Sequence, residues 1–462
     1  MVALLYKAVF LIKTLEFTTE NRYNLCINND WIEKMTVKEK TNKKLEWFKL
    51  DNAAKIFPGQ NTATWSNSFR VCFELKDNIE PEILEQALVD VLPRFPCYDV
   101  QIKQGFFWYY LENNPNVPLV LPDIKNPCHR VNFKENNKFL FKLYYYNNRV
   151  SIDMYHVLSD GHGGAVFLST LIAQYLRLKG HTISVGGFVL DIEKEASESE
   201  LEDSFVKNAT SKAKYKRADK FVYHPKGTKL PPHTLNIISG TIPFDKLHKL
   251  TKEKDVTVTE FLAALMLQTL IKKQAQEKKR QKEVSIQIPI DLRKHFNSDT
   301  LRNFTICLRV KIDPNRGEYS FDDLLWQVKY QLRLAINKQD LNMMITANMG
   351  IERNPIVRAV PLAVKNLSVG ISFAITAEQT TSSLITNLGL VNIPEEMKSF
   401  INKALFMPAP GIVNASRLGV CTCNNNLVIT FANSYEETDV EREFFTSFVK
   451  MGIPVKIESN KE

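Results

Sequence analysis

Residues Tyr155-His156-Val157-Leu158-Ser159-Asp160-Gly161 bring together a side chain that takes a proton near neutral pH, an ionisable group four positions later, and a glycine that lets a substrate approach the backbone. In a chain of this composition the pattern His-x-x-x-Asp-Gly would arise by chance roughly 0.013 times, so it reads as a functional motif. It suits transfer of an acyl group from a thioester to a hydroxyl or amine. A neutral His156 imidazole would take the acceptor's proton as the acceptor attacks the thioester carbonyl. That route needs no covalent enzyme intermediate. In keeping with it, the chain has no G-x-S-x-G elbow for a serine nucleophile and no cysteine close in sequence to His156.

Such a motif must sit where one element ends and another begins. Val150, Ile152 and Met154 alternate as one face of a strand that delivers His156 to its end, and Val166, Phe167, Leu171, Ile172 and Tyr175 follow at helical spacing. Asp160 also suits the N-cap of that helix, Gly161 the turn, and His162 a surface position at the helix start. Upstream, Ser68 to Leu75 alternates as a strand, Glu80 to Leu92 has helical spacing, and Phe106 to Leu111 and Phe139 to Tyr146 are strand-like. Downstream, the pattern predicts helices over Val258 to Ile271, Phe321 to Ala335 and Asp439 to Met451. Strands are predicted at Val284 to Ile290, Thr305 to Ile312, Leu384 to Leu388, Arg417 to Cys423 and Leu427 to Ala432.

A chain of 462 residues with 44% hydrophobic content exceeds the length over which one core keeps growing, so two domains are expected. Net charge of +9 over this length does not point to nucleic acid. Seven cysteines, with no C-x-x-C pair and no histidine at ligand spacing, read as a reduced, cytoplasmic protein without structural zinc; Cys421 and Cys423 read as one face of a strand. The apolar run Val2 to Ile12 is too short to span a bilayer, and residues 1–34 are expected to lie outside the domain, from an upstream start codon. Seven acidic residues from Asp191 to Asp203, then a basic run through Lys229 ending at Pro231-Pro232, mark a linker. The organisation expected is an extension over 1–44, a subdomain over 45–190, a linker over 191–235 and a second subdomain over 236–462.

His156-x-x-x-Asp160-Gly161 between strand and helix resembles the signature of the CoA-dependent acyltransferase superfamily, which includes chloramphenicol acetyltransferase, plant acyltransferases, condensation domains and alcohol acetyltransferases. The segment Trp47-Phe48-Lys49-Leu50-Asp51-Asn52-Ala53-Ala54-Lys55-Ile56-Phe57-Pro58 and Thr386-Asn387-Leu388-Gly389 resemble the alcohol acetyltransferase-like branch. Pro289-Ile290-Asp291-Leu292-Arg293 is similar to the family's P-x-x-L-R, and Asn303 matches the asparagine of its G-N element. The resemblance covers about residues 45 to 455. It implies an α/β (α+β) fold of two chloramphenicol-acetyltransferase-like subdomains, each a mixed sheet with flanking helices, with the active-site tunnel between them. It also implies that His156 is the base and that Asp160 is structural and paired with an arginine, for which Arg293 is the candidate. The sequence departs from the pattern in three places. Tyr155 stands where condensation domains carry a first histidine, Arg302 replaces the glycine before Asn303, and a DFGWG segment is missing.

The expected activity is O- or N-acyl transfer, with acyl-CoA as co-substrate, a small alcohol or amine as acceptor, and neither a tightly bound cofactor nor a metal. Asn387 is either a donor to the developing oxyanion or a turn residue. Lys272, Lys273, Lys278, Lys279, Arg280 and Lys282 read as a solvated helix face, or else as contacts to the phosphates of coenzyme A. Two other functions remain open: a condensation-type domain served by an acyl carrier protein, and a non-catalytic scaffold of the same fold.

Overall fold

The computed structural model describes residues 47–61, 66–212, 220–277, 280–373, 378–411 and 416–461. The expectations for residues 1–44, and for Lys278 and Lys279, lie outside the described residues.

Before residue 190 the chain forms strands β1 (Trp47–Lys49), β2 (Ser68–Leu75), β3 (Val100–Gln104), β4 (Tyr109–Asn113), β5 (Val120–Pro122), β6 (Phe141–Tyr146) and β7 (Arg149–Tyr155), with helices α1 (Phe57–Gln60), α2 (Pro81–Val91) and α3 (Gly161–Leu178). β7 lies between β2 and β6, antiparallel to both. Val150, Ile152 and Met154 share one fully buried face, and α3 packs there, with Gly164 beside Phe69 and Met154. The opposite face is buried too, although it carries Ser151 and Asp153. It is satisfied from within: Asp153 accepts from Arg70 Nε (2.5 Å) and from the Cys128 N–H (2.9 Å). Phe106 to Leu111 departs from the strand expected there. Gln104 pairs with Tyr109, and Gly105 N–H donates to the Trp108 carbonyl (2.9 Å), so Phe106–Trp108 form the hairpin turn and the strand starts at Tyr109. Aromatic residues favour strands on average, but register decides which of them pair.

After residue 235 come β8 (Asn236–Pro243), α4 (Val258–Gln276), β9 (Val284–Asp291), β10 (Thr305–Ile312), α5 (Phe321–Ala335), α6 (Lys338–Arg353), α7 (Pro355–Ala359), α8 (Leu362–Phe373), β11 (Ser383–Leu390), β12 (Ile401–Met407), β13 (Ser416–Cys423), β14 (Asn426–Asn433), α9 (Asp439–Lys450) and β15 (Lys456–Ser459). One mixed sheet runs β10-β9-β11-β13-β14-β8-β15, with β11 parallel to β9 and β13. A sheet this long needs a covered face, and α4 supplies it: Phe261 to Leu267 are all fully buried.

β12 does not join this sheet but pairs antiparallel with β2, completing the order β12-β2-β7-β6-β5. The late part of the chain thus supplies a strand to the early sheet. The crossing requires backbone contact: a Cβ at Gly419 in β13 would overlap the Phe406 carbonyl of β12. Within segment 191–235, expected as a linker, residues 197–205 pack against the rest of the chain. Glu200 takes both Arg94 Nη atoms (2.7 and 2.8 Å), Phe205 is buried in the second core, and the Glu200 carbonyl accepts from the Leu301 N–H (2.8 Å).

Candidate active site

His156 follows the last residue of β7, and its backbone is held on both sides. Its N–H donates to the Asn67 carbonyl (3.0 Å), and its carbonyl accepts from Asn303 Nδ2 (2.8 Å). The ring lies 5.0 Å from Phe57, stacked at 23°, and 4.6 Å from Phe69. Nδ1 is 3.1 Å from the Ser159 carbonyl. A carbonyl only accepts, so the bond assigns the proton to Nδ1 and leaves the lone pair on Nε2. Burial pushes the imidazole pKa down and outweighs the raising effect of the Asp160 charge, so the neutral, proton-accepting form prevails at neutral pH.

The turn that carries the Ser159 carbonyl is fixed from below. Ser159 Oγ donates to the Leu301 carbonyl (2.5 Å) and accepts from the Tyr98 hydroxyl (3.0 Å). Asp160 caps α3, accepting from Gly163 N–H (3.4 Å), and also accepts from Phe304 N–H (2.9 Å). Both its oxygens face Arg293, Oδ2 to Nη1 and Oδ1 to Nη2, each at 3.0 Å. The remaining guanidinium donors go to Asp291 and to the Thr300 and Arg302 carbonyls, so all five N–H groups have acceptors. Burial pushes the Asp160 carboxyl up, but the Arg293 charge and these bonds more than offset that, and its pKa lies below the usual value. Cap and ion-pair roles therefore coexist on one carboxylate.

Asn303 reaches in a second direction, with Nδ2 donating to Asp51 Oδ2 (3.0 Å) as well as to the His156 carbonyl. Asp51 is fully buried and also accepts from Ala54 N–H (2.7 Å); burial pushes its pKa up to about 6. Arg302, where a glycine was expected, spans the same ground: its Nε lies 3.8 Å from Asp51 and its Nη2 donates to the Lys49 carbonyl (2.5 Å). Asp51, Phe57, Phe69 and the Ser159 carbonyl are thus parts of the site that the sequence reading did not assign. Asp51 and Phe57 both lie in the 47–58 segment, which was read only as a resemblance.

Gly161 points its missing side chain at Phe406 of β12, whose ring carbon lies 2.9 Å from an ideal Cβ, with Leu388 at 3.5 Å. Asn387 sits in β11, where Nδ2 donates to Thr259 Oγ1 (3.0 Å) and Oδ1 accepts from Gly389 N–H (2.8 Å). Among the described residues these partners belong to α4 and the strand itself, not to the His156 turn. His162 is half-buried rather than at the surface. Its ring meets Phe188 edge-on at 5.1 Å because the loop after α3 folds back over the helix start. Tyr155 buries its hydroxyl without a hydrogen-bond partner among the described residues. Lys272 and Lys273 are held by Glu443 (2.9 Å) and Asp439 (2.5 Å) of α9, which counts against their meeting phosphates. Among the described residues, a cavity behind β6 and another beside Glu441 are lined by other side chains than His156.

Gly163, two residues beyond the motif, is packed more tightly than Gly161. A Cβ there would overlap Ser159 Oγ, the Leu301 carbonyl and the Tyr98 hydroxyl. Gly163→Ala should displace the turn and destabilise the fold by about 1–3 kcal/mol, read as a lower thermal transition. Calorimetry showing a parent-like transition would mean that the turn is softer than this geometry.

No family model matches the chain, and no curated protein matches it by sequence. Solved structures do resemble it. TRI3 trichothecene 15-O-acetyltransferase from Fusarium sporotrichioides aligns over 87% of this chain and 93% of its own, with TM-score 0.55 and 12% identity. TRI101 from F. sporotrichioides, complexed with coenzyme A and T-2, aligns over 89% and 99%, with TM-score 0.57 and 9% identity. The starter condensation domain of rhizomide synthetase, in complex with C8-CoA, aligns over 87% and 93%, with TM-score 0.55 and 12% identity. The chain therefore has the mixed α/β fold shared by acyltransferases and condensation domains, the fold class expected from the sequence.

Proposed function

We propose that this chain is an acyltransferase that moves an acyl group from acyl-CoA to the hydroxyl or amine of a small acceptor, with His156 as general base. In this reading residues 45–190 and 236–462 are the two subdomains, joined by 191–235, and the protein works in the cytoplasm. The observation that carries the reading is the contact of His156 Nδ1 with the Ser159 carbonyl at 3.1 Å. With Nδ1–H tied to the Ser159 carbonyl, Nε2 accepts the proton of the acceptor's O–H or N–H as that atom adds to the thioester carbonyl. The tetrahedral intermediate then breaks its C–S bond, and the thiolate leaves with the proton from Nε2. Asp160 and Arg293 hold the turn and touch no reacting atom. The fold likeness to acyltransferases supports the same chemistry.

A screen that measures free thiol from acyl-CoAs of several lengths, offered with alcohols, amines and sugars, tests the proposal, with thiol release in at least one pairing as the expected result. Release only from acyl groups on a carrier protein would assign the chain to condensation-type chemistry instead. No release from either donor would sink the transferase reading.

The pH dependence follows from the direction of the His156 shift. The active form is neutral, and its pKa lies below the ordinary 6.5, so kcat/KM should rise with pH through a midpoint below 6.5 and be level near 7. A midpoint above 6.5 would assign the limb to another group.

A further inference from the structure

The turn between β3 and β4 carries Phe106, Phe107 and Trp108, and Phe106 is 72% exposed. Three bulky aromatics at a hairpin tip need a reason, because water solvates them poorly. The tip does not stand alone. The Phe106 carbonyl accepts from Leu362 N–H (3.0 Å), the Phe107 carbonyl accepts from Lys365 Nζ (3.0 Å), and Asn366 Nδ2 donates to the Tyr109 hydroxyl (2.9 Å). Hairpin tip and α7–α8 therefore form one surface, to which Ile356 (76% exposed), Val364 and Leu367 (68% exposed) add. The charges on it are of one sign. Arg353, Arg358 and Lys365 lie in this stretch, no Asp or Glu occurs from 353 to 377, and the hairpin has no charge from 104 to 111. The flanking Glu352 is engaged by Lys55 (2.5 Å) and Asn52 (2.9 Å).

We propose that this surface docks the protein on a bilayer that contains anionic lipid. Aromatic side chains partition to the headgroup level, and arginine and lysine beside them draw the surface towards anionic headgroups. A second copy fits less well, because a symmetric contact would set the same three basic groups against themselves. The surface is continuous with the candidate active site. α8 packs on α1, where a Cβ at Gly59 would lie 3.1 Å from Asn366 Cα, and Phe57 of α1 stacks on His156. Docking would thus hold the His156 turn two packed elements from the lipid. The inference does not depend on the transferase reading.

Co-sedimentation of the full chain with phosphatidylcholine vesicles, with and without phosphatidylserine, tests it. The parent should bind the phosphatidylserine vesicles. Phe106→Ser with Trp108→Ser should weaken that binding by about tenfold or more, with an unchanged thermal transition. Arg353→Gln with Arg358→Gln should remove the preference for phosphatidylserine. Residues 1–46 are present in every arm, so their contribution cancels. Failure of the parent to bind, equal binding to both vesicle types, or undiminished binding by the tip variant would each overturn the proposal. So would a dimer, seen by light scattering, that the tip variant abolishes in place of any vesicle binding, because that result assigns the face to a second copy.

Discussion

His156→Ala is expected to lower thiol release from acyl-CoA by roughly 10²–10⁴-fold, the range that a positioned general base supplies. The loss should fall on turnover rather than on folding. The backbone bonds of residue 156 to Asn67 and Asn303 do not involve its side chain, and the deleted ring gives up one hydrogen bond and two aromatic contacts. Initial rates beside a thermal melt separate the two effects. A variant that forms product at the parent's rate would remove His156 from the chemistry.

Arg293→Ala is expected to cost about 3–5 kcal/mol of stability, because it strands the buried Asp160 carboxylate and leaves the Thr300 and Arg302 carbonyls without donors. The rate should fall as well. Asp160 directly follows Ser159, whose carbonyl orients the His156 ring, so movement of the cap misaligns the base. Removing both charges, as Asp160→Ala with Arg293→Ala, should cost less than the sum of the two single changes, because neither partner is then stranded. Chemical denaturation of the four proteins measures the coupling, and additive losses would mean that the pair does not act as a unit.

The parts of this site that were legible in the sequence are those that local pattern encodes. A strand of alternating residues ending at His156, a capping aspartate, and a helix of matching period lie within 30 residues of one another, and the structure forms them there. The strand Thr305–Ile312 and the helix Phe321–Ala335 also form with the bounds predicted. What the sequence hid depends on distant packing. β12 reads Ile-Asn-Lys-Ala-Leu-Phe-Met, without clean alternation, because it is covered on both faces. Phe57 reaches His156 from about a hundred residues upstream, and no local period can report such a contact. His162 looked solvent-facing because the loop that covers it has no regular pattern.

The strand exchange at β12 also sets an order of events during synthesis. Until the ribosome has delivered residues 401–407, β2 has a bare edge on the side that β12 will occupy, open to pairing with any other extended chain. After Tyr155 the early sheet stays unfinished while about 250 further residues emerge. A fragment cut in segment 191–235 would lack this last strand and also Leu301, Val391, Ile393, Met397, Phe406 and Cys421, which complete its hydrophobic core, so aggregation rather than independent folding is its natural fate, and the two parts are better regarded as one cooperative unit.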